Sequence, residues 1–109
     1  MLTVGQPLPN VTGQALIPNG EFADVSLIHY WGKWLVLFFY RSAAALAHES
    51  FGHRATFIAN PEGVIESVTI NSSYVGRSPD ETLRTLQALK TGELMPCEWI
   101  PGQKSLNAA

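Results

Sequence analysis

The chain has 109 residues, 46% of them apolar and 15% charged, with a net charge of −2. This length suits one domain with no second core, and a chain of this size buries only somewhat over ~60% of its unfolded surface. The charged fraction is well below the usual ~25%, which points to surface covered by a partner. No cluster of Lys and Arg supports nucleic-acid binding. The longest apolar run, Trp34 to Tyr40, is far short of the ~18 residues of a membrane span, and no basic segment followed by an apolar run opens the chain. A lone cysteine, Cys97, rules out an intrachain disulfide and fits a reducing compartment. The expectation is a soluble, cytoplasmic protein without a membrane partner.

In chain order, Val4-Gly5-Gln6-Pro7-Leu8-Pro9 is barred from helix by its glycine and prolines. Ile17-Pro18-Asn19-Gly20-Glu21 has the turn chemistry of a β-hairpin. Trp34 to Tyr40 predicts a strand of the kind found at the centre of a sheet and buried on both faces. Residues 41–49 read as either a short helix or a bare linker. Ala55 to Ala59 and Val64 to Ile70 predict two strands, made antiparallel by the Asn60-Pro61-Glu62-Gly63 turn. A helix follows, with Ser78 as N-cap, Pro79 at the first position and Glu81 completing a capping box. Leu83, Leu86 and Leu89 mark its apolar stripe, and Gly92 ends it. The tail beyond is irregular. One helix cannot cover both faces of such a sheet, so either something is missing or a partner supplies it.

Few residues suggest chemistry. Cys97 stands in the proline-flanked tail with no His, Lys or Arg beside it in sequence to generate a thiolate. Such a thiol suits attack on an already oxidised sulfur, or it is an incidental free cysteine. His48 and His53 lie five apart, but with only Glu49 nearby they and His29 read as surface or core histidines, so no metal is expected. No glycine-rich phosphate loop is present, and Gly13, Gly20, Gly32 and Gly63 all fall in turn-like contexts. No cofactor site is expected. Arg54, at the mouth of a strand, and Arg77, before the helix, can aim a guanidinium at an anion or thiolate, although most arginines so placed serve the surface. Trp34 and Trp99 read as packing residues.

Several segments together resemble the peroxiredoxins of the alkyl hydroperoxide reductase C (AhpC/TSA) type. They are Val4 to Pro9, Gly32 to Tyr40, His53 to Ile65 with its Arg-Ala-Thr-Phe strand, Val75-Gly76-Arg77-Ser78 with the following helix, and Gly92 to Gly102. The resemblance implies an α/β, thioredoxin-like fold and thiol-dependent, antioxidant reduction of hydrogen peroxide and organic hydroperoxides. It also implies dimers and a thioredoxin-like or flavoprotein reductant. Arg54 matches the family's active-site arginine. Cys97 falls in the tail that carries the resolving cysteine, two places beyond the commonest position, where Met95 stands.

The family expects Pro-x-x-x-Thr-x-x-Cys after the Phe-Phe-Tyr strand. Here Tyr40 is followed by Arg41, Ser42 and three alanines, so the peroxidatic cysteine is absent. The expectation is an incomplete thioredoxin-like fold lacking the peroxidatic helix and a strand–helix–strand section. Its parts are an N-terminal portion (1–40), a deletion junction (41–52), a hairpin and helix (53–92) and a tail (93–109). Three functional readings remain open. They are a peroxiredoxin relative inactive alone, a non-catalytic homodimer or heterodimer partner of a full-length peroxiredoxin, and a deletion product without selected function.

Overall fold

A computed structural model describes residues 2–16, 18–39, 54–72 and 74–107. The expected junction, with His48, His53 and Tyr40, lies outside them.

Asn19 and Gly20 close the first hairpin. The Asn19 side chain accepts from the Glu21 amide at 2.9 Å, and Gly20 takes φ +86°, a value that favours glycine. Strands β1 (Thr12–Leu16) and β2 (Phe22–Ser26) pair antiparallel across this turn. Gly13 lies within β1, opposite Val25, and not in a turn as its surroundings suggested. A 3-10 turn, Leu27–Tyr30, follows and inserts Leu27 into the core.

The main sheet holds β3 (Leu35–Phe39), β4 (Arg54–Ala59) and β5 (Ile65–Asn71) in the order β3-β4-β5, all antiparallel. The middle place therefore belongs to β4, whose last five residues are all buried. The aromatic run at Leu35–Phe39 is a strand as expected, but among the described residues it lies at an edge and is half-buried, with Phe38 exposed. An apolar run shows that a strand has two faces to cover; it does not show whether both of its edges are paired.

The β4–β5 turn follows its sequence closely. Asn60 accepts from the Glu62 and Val64 amides at 3.0 Å each, and Gly63 adopts φ +79°. Just beyond it the register shifts between Ile58 and Ala59, since Ile58 faces Ser67 while Ala59 faces Ile65. Without this bulge Ile65 and Ser67 would share a face. With it, Ile65 enters the core while Ser67 lines a cavity on the opposite side.

Strand alternation gives the sheet two different faces. On one, Ala55, Phe57, Ala59 and Ile65 pack with Leu8 and Leu27, and Leu2, Val11, Leu35, Leu37, Phe39 and Val68 border them. The Phe39 and Phe57 rings meet edge to face, 5.8 Å apart at 89°, which contributes about 0.5–1.5 kcal/mol beyond their burial. The N-terminal segment is tied down by backbone bonds from Gly5 to Ile65, Ile65 to Gln6 and Leu8 to Gly63, at 2.8–2.9 Å. Its two prolines, which forbid helix, leave it extended against the start of β5.

The other face carries Thr56 and Ile58 and is approached by helix α1 (Pro79–Thr91). Ser78 caps α1 by accepting from the Glu81 amide at 3.2 Å, and Gly92 closes it at φ +70°. The expected capping box is only half made, because the Glu81 carboxylate takes Arg84 instead, at 2.7 Å to each of two nitrogens. A bidentate guanidinium partner is the stronger competitor for a carboxylate than a single backbone amide. No residue of α1 is buried, and Leu83 of the apolar stripe is 51% exposed.

Candidate functional site

Arg54 opens β4 opposite Asn71 and is half-buried. One residue on, the Ala55 carbonyl accepts from Arg77 Nη1 at 2.9 Å, and the same nitrogen donates to the Phe39 carbonyl at 2.7 Å. The Arg77 guanidinium also stacks 4.9 Å from the Phe38 ring centre. A single arginine, delivered by the loop before α1, thus ties the end of β3 to the start of β4. Sequence alone marks Arg77 only as a residue that can aim at an anion or serve the surface. Its clamping of two carbonyls depends on a contact 38 residues away that no local pattern encodes.

Cys97 is elsewhere, exposed in the tail, and among the described residues its thiol makes no hydrogen bond. The tail around it is nonetheless well held. Trp99 is 5% exposed, its amide donates to the Pro96 carbonyl, and its indole donates to the Gln103 carbonyl at 2.9 Å. Arg84 reaches across from α1 to the Trp99 carbonyl at 2.8 Å. These bonds frame a turn over Pro96–Trp99 that presents Cys97 outward. The turn carries strain at Glu98, whose φ of +60° is one that non-glycine residues adopt at a cost. Trp99 is the packing residue its sequence suggested, whereas Trp34 is only half-buried.

Arg54 thus opens the central strand, while Cys97 stands in the exposed tail beyond α1. Of the histidines, His29 is exposed beside the first hairpin, in a shallow pocket with Asp24. Among the described residues no cluster of His, Cys, Asp and Glu could hold a metal, and no helix is long and apolar enough to cross a membrane. Among the described residues, one acid has its ionisation shifted, Glu81. The hydrogen-bonded guanidinium of Arg84 holds its carboxyl below the ordinary value of 4.5.

No family profile matches the chain. Individual relatives do. The chain is 49% identical over 61 residues to the putative peroxiredoxin YkuU of Bacillus subtilis, a match that takes in 56% of this chain but only 34% of that protein. It is 25% identical to peroxiredoxin-1 of Gallus gallus, covering 94% of this chain and 89% of that protein. That second match runs over 177 residues, although this chain has only 109, so the relative carries a long internal block with no counterpart here. Among solved structures, the reduced 2-Cys peroxiredoxin of Plasmodium vivax superposes with a TM-score of 0.80 at 19% identity, covering 94% of this chain and 91% of that one. AhpC of Mycobacterium bovis superposes at 0.75 with 20% identity, covering 91% and 98%. These likenesses give the fold, an incomplete thioredoxin-like arrangement.

Proposed function

We propose, for a chain that belongs to the peroxiredoxin family in internally truncated form, that it does not reduce peroxides by itself and acts through a second chain. The observation that carries this reading is the thiol inventory. The only cysteine is Cys97, and it is an exposed thiol in the tail. Peroxide reduction of the family's kind needs a cysteine that is oxidised to a sulfenic acid and a second thiol that resolves it. Cys97 fits the second role. Its thiolate attacks the sulfenic sulfur of a partner chain, an S–S bond forms, and the hydroxyl leaves as water after taking up a proton. The products are a mixed disulfide and water, with the peroxide already consumed by the partner.

In this reading the site is shared. The partner brings the peroxidatic cysteine, this chain brings Cys97, and Arg54 stands where the family's active-site arginine would. The partner is a full-length peroxiredoxin or, for structural pairing alone, a second copy of this chain. The outer edge of β5 beyond Ile65 and the low charged fraction both support such pairing. The missing block falls at residues 41–52, between the two strands that the Arg77 clamp ties together.

The test is a thioredoxin-coupled assay on the purified chain with hydrogen peroxide. The expected result is no turnover above the uncatalysed rate. Turnover that disappears in Cys97→Ser would overturn the reading, since Cys97 would then be the peroxidatic residue. A second reading, a deletion product without selected function, is separated by the same preparation. It requires a broad, non-cooperative melting transition, whereas a shared site requires a folded chain.

A further inference from the structure

Arg84, in the second turn of α1, engages all three of its guanidinium nitrogens. Nε and Nη2 donate to the two oxygens of Glu81 at 2.7 Å each, and Nη1 donates to the Trp99 carbonyl at 2.8 Å, across a separation of 15 residues. Residues three apart on a helix share a face, so acid and arginine meet without distorting α1. A carboxylate that takes two parallel bonds fixes the plane of the guanidinium as well as its position. The remaining nitrogen can then point in one direction only, and it points at the tail.

Trp99 is the buried anchor of that tail. Its own amide and indole, with the Ile100 amide, bond to Pro96 and Gln103 within the tail. Those bonds give the turn its shape; the Arg84 bond gives it a fixed place on the helix. Between Cys97 and Trp99 stands Glu98 at φ +60°, a conformation that persists only where the surroundings hold it. Cys97 is already exposed, so its sulfur needs no opening of the protein to be reached. What its reaction with another protein's sulfur needs is direction, and direction is what a fixed turn supplies.

We propose that Arg84 is a positioning residue for Cys97: with its fork set by Glu81, it holds the Trp99 carbonyl and so aims the thiol at the sulfenic acid of a partner chain. This rests on the resolving role proposed for Cys97 and adds to it a residue on another element. In the step itself the Cys97 thiolate attacks the sulfenic sulfur, the S–S bond forms, and hydroxide leaves and is protonated to water. Arg84 touches none of these atoms and acts through Trp99.

The test compares the wild-type chain with Arg84→Met and Glu81→Gln. A full-length two-cysteine peroxiredoxin whose own resolving cysteine is replaced by serine is oxidised with one equivalent of hydrogen peroxide, and the rate of mixed-disulfide formation is followed on non-reducing gels. Alkylation of Cys97 by iodoacetamide and amide hydrogen exchange are measured on the same proteins. Arg84→Met is expected to slow the mixed disulfide about tenfold but to change alkylation less than about twofold, since a small reagent can meet an exposed thiol from any direction. The Trp99 amide should exchange faster while those of Phe57 and Ile58 in β4 stay protected. Glu81→Gln, which loosens the fork but keeps the donor, should slow the mixed disulfide less. Equal rates in wild type and Arg84→Met would overturn the proposal, as would a faster reaction or a parallel fall in alkylation. Loss of protection at Phe57 in both variants would overturn it too, because Arg84 would then serve the fold as a whole. A wild-type chain that forms no mixed disulfide overturns the resolving role itself, a failure visible without any variant.

Discussion

The two faces of the β3-β4-β5 sheet are built to different standards. On the N-terminal side, Phe57 and Ile65 are fully buried, and extended segments of the chain lie across them. On the helix side, α1 buries none of its residues, Thr56 keeps an unpaired hydroxyl, and a cavity separates helix from strands. The strands are the same in both cases, so the difference lies in what covers them. The relatives carry an internal block that this chain lacks, and the sheet is well covered only where the N-terminal segment, the first hairpin's end and the 3-10 turn reach it. The sheet survives because β4 is central, paired on both edges, and closed by an apolar core on one face. A face and two paired edges are enough to form strands, but they do not by themselves supply the margin of a complete fold.

This contrast can be broken most severely from the closed side. Phe57→Ala is expected to cost about 3–5 kcal/mol, most of the stability of a chain this size, measured by urea unfolding. A comparable loss from Leu83→Ala on the helix side would contradict the asymmetry, since Leu83 is half exposed. Next is the clamp at the open corner. Arg77→Met removes the donor shared by the Phe39 and Ala55 carbonyls and is expected to cost about 1–3 kcal/mol, a range discounted for partial exposure. Hydrogen exchange should then quicken first at the ends of β3 and β4.

Smaller effects sharpen the account of the helix and tail. Ser78→Ala is expected to cost about 1 kcal/mol through loss of the N-cap, seen as a lower melting temperature. Glu98→Gly is expected to raise stability by up to about 1 kcal/mol, because glycine takes the positive φ without strain. Cys97 should be presented as before. The smallest effect is electrostatic. The Arg84 partner lowers the folded-state carboxyl of Glu81 below 4.5. Any stabilisation from it is therefore present above that value and lost as pH falls through the lower folded-state value. Glu81→Gln should flatten the acid limb of stability only below about pH 4.5, and slightly, because the pair is solvent-exposed.

Much of the fold was legible where chemistry is local. Asn19-Gly20 and Asn60-Pro61-Glu62-Gly63 specify their turns through side-chain bonds and positive φ, and Ser78 with Pro79 and Gly92 bounds the helix at both ends. What sequence alone did not disclose depends on contacts between distant segments. The bulge that sends Ile65 and Ser67 to opposite faces, the Arg77 clamp, and the edge position of Leu35–Phe39 among the described residues all arise from pairing partners, which alternation and propensity do not encode. The Glu81 carboxylate illustrates a different failure, in which a correct motif loses to a stronger neighbour at i+3. For the site, the resemblance to the peroxiredoxins implies a resolving thiol at Cys97 and an active-site arginine at Arg54. The unpaired hydroxyl of Thr56 could not be seen, since a threonine in an apolar strand carries no mark of it.

The most direct test of the central claim pairs the two chains. A full-length two-cysteine peroxiredoxin whose own resolving cysteine is replaced by serine is mixed with this protein and given one equivalent of hydrogen peroxide. The products are then read by mass spectrometry under non-reducing conditions. The account expects a mixed disulfide between the partner's peroxidatic cysteine and Cys97, absent in Cys97→Ser. A partner left as sulfenic or sulfinic acid, with Cys97 still a free thiol in a folded chain, would contradict it.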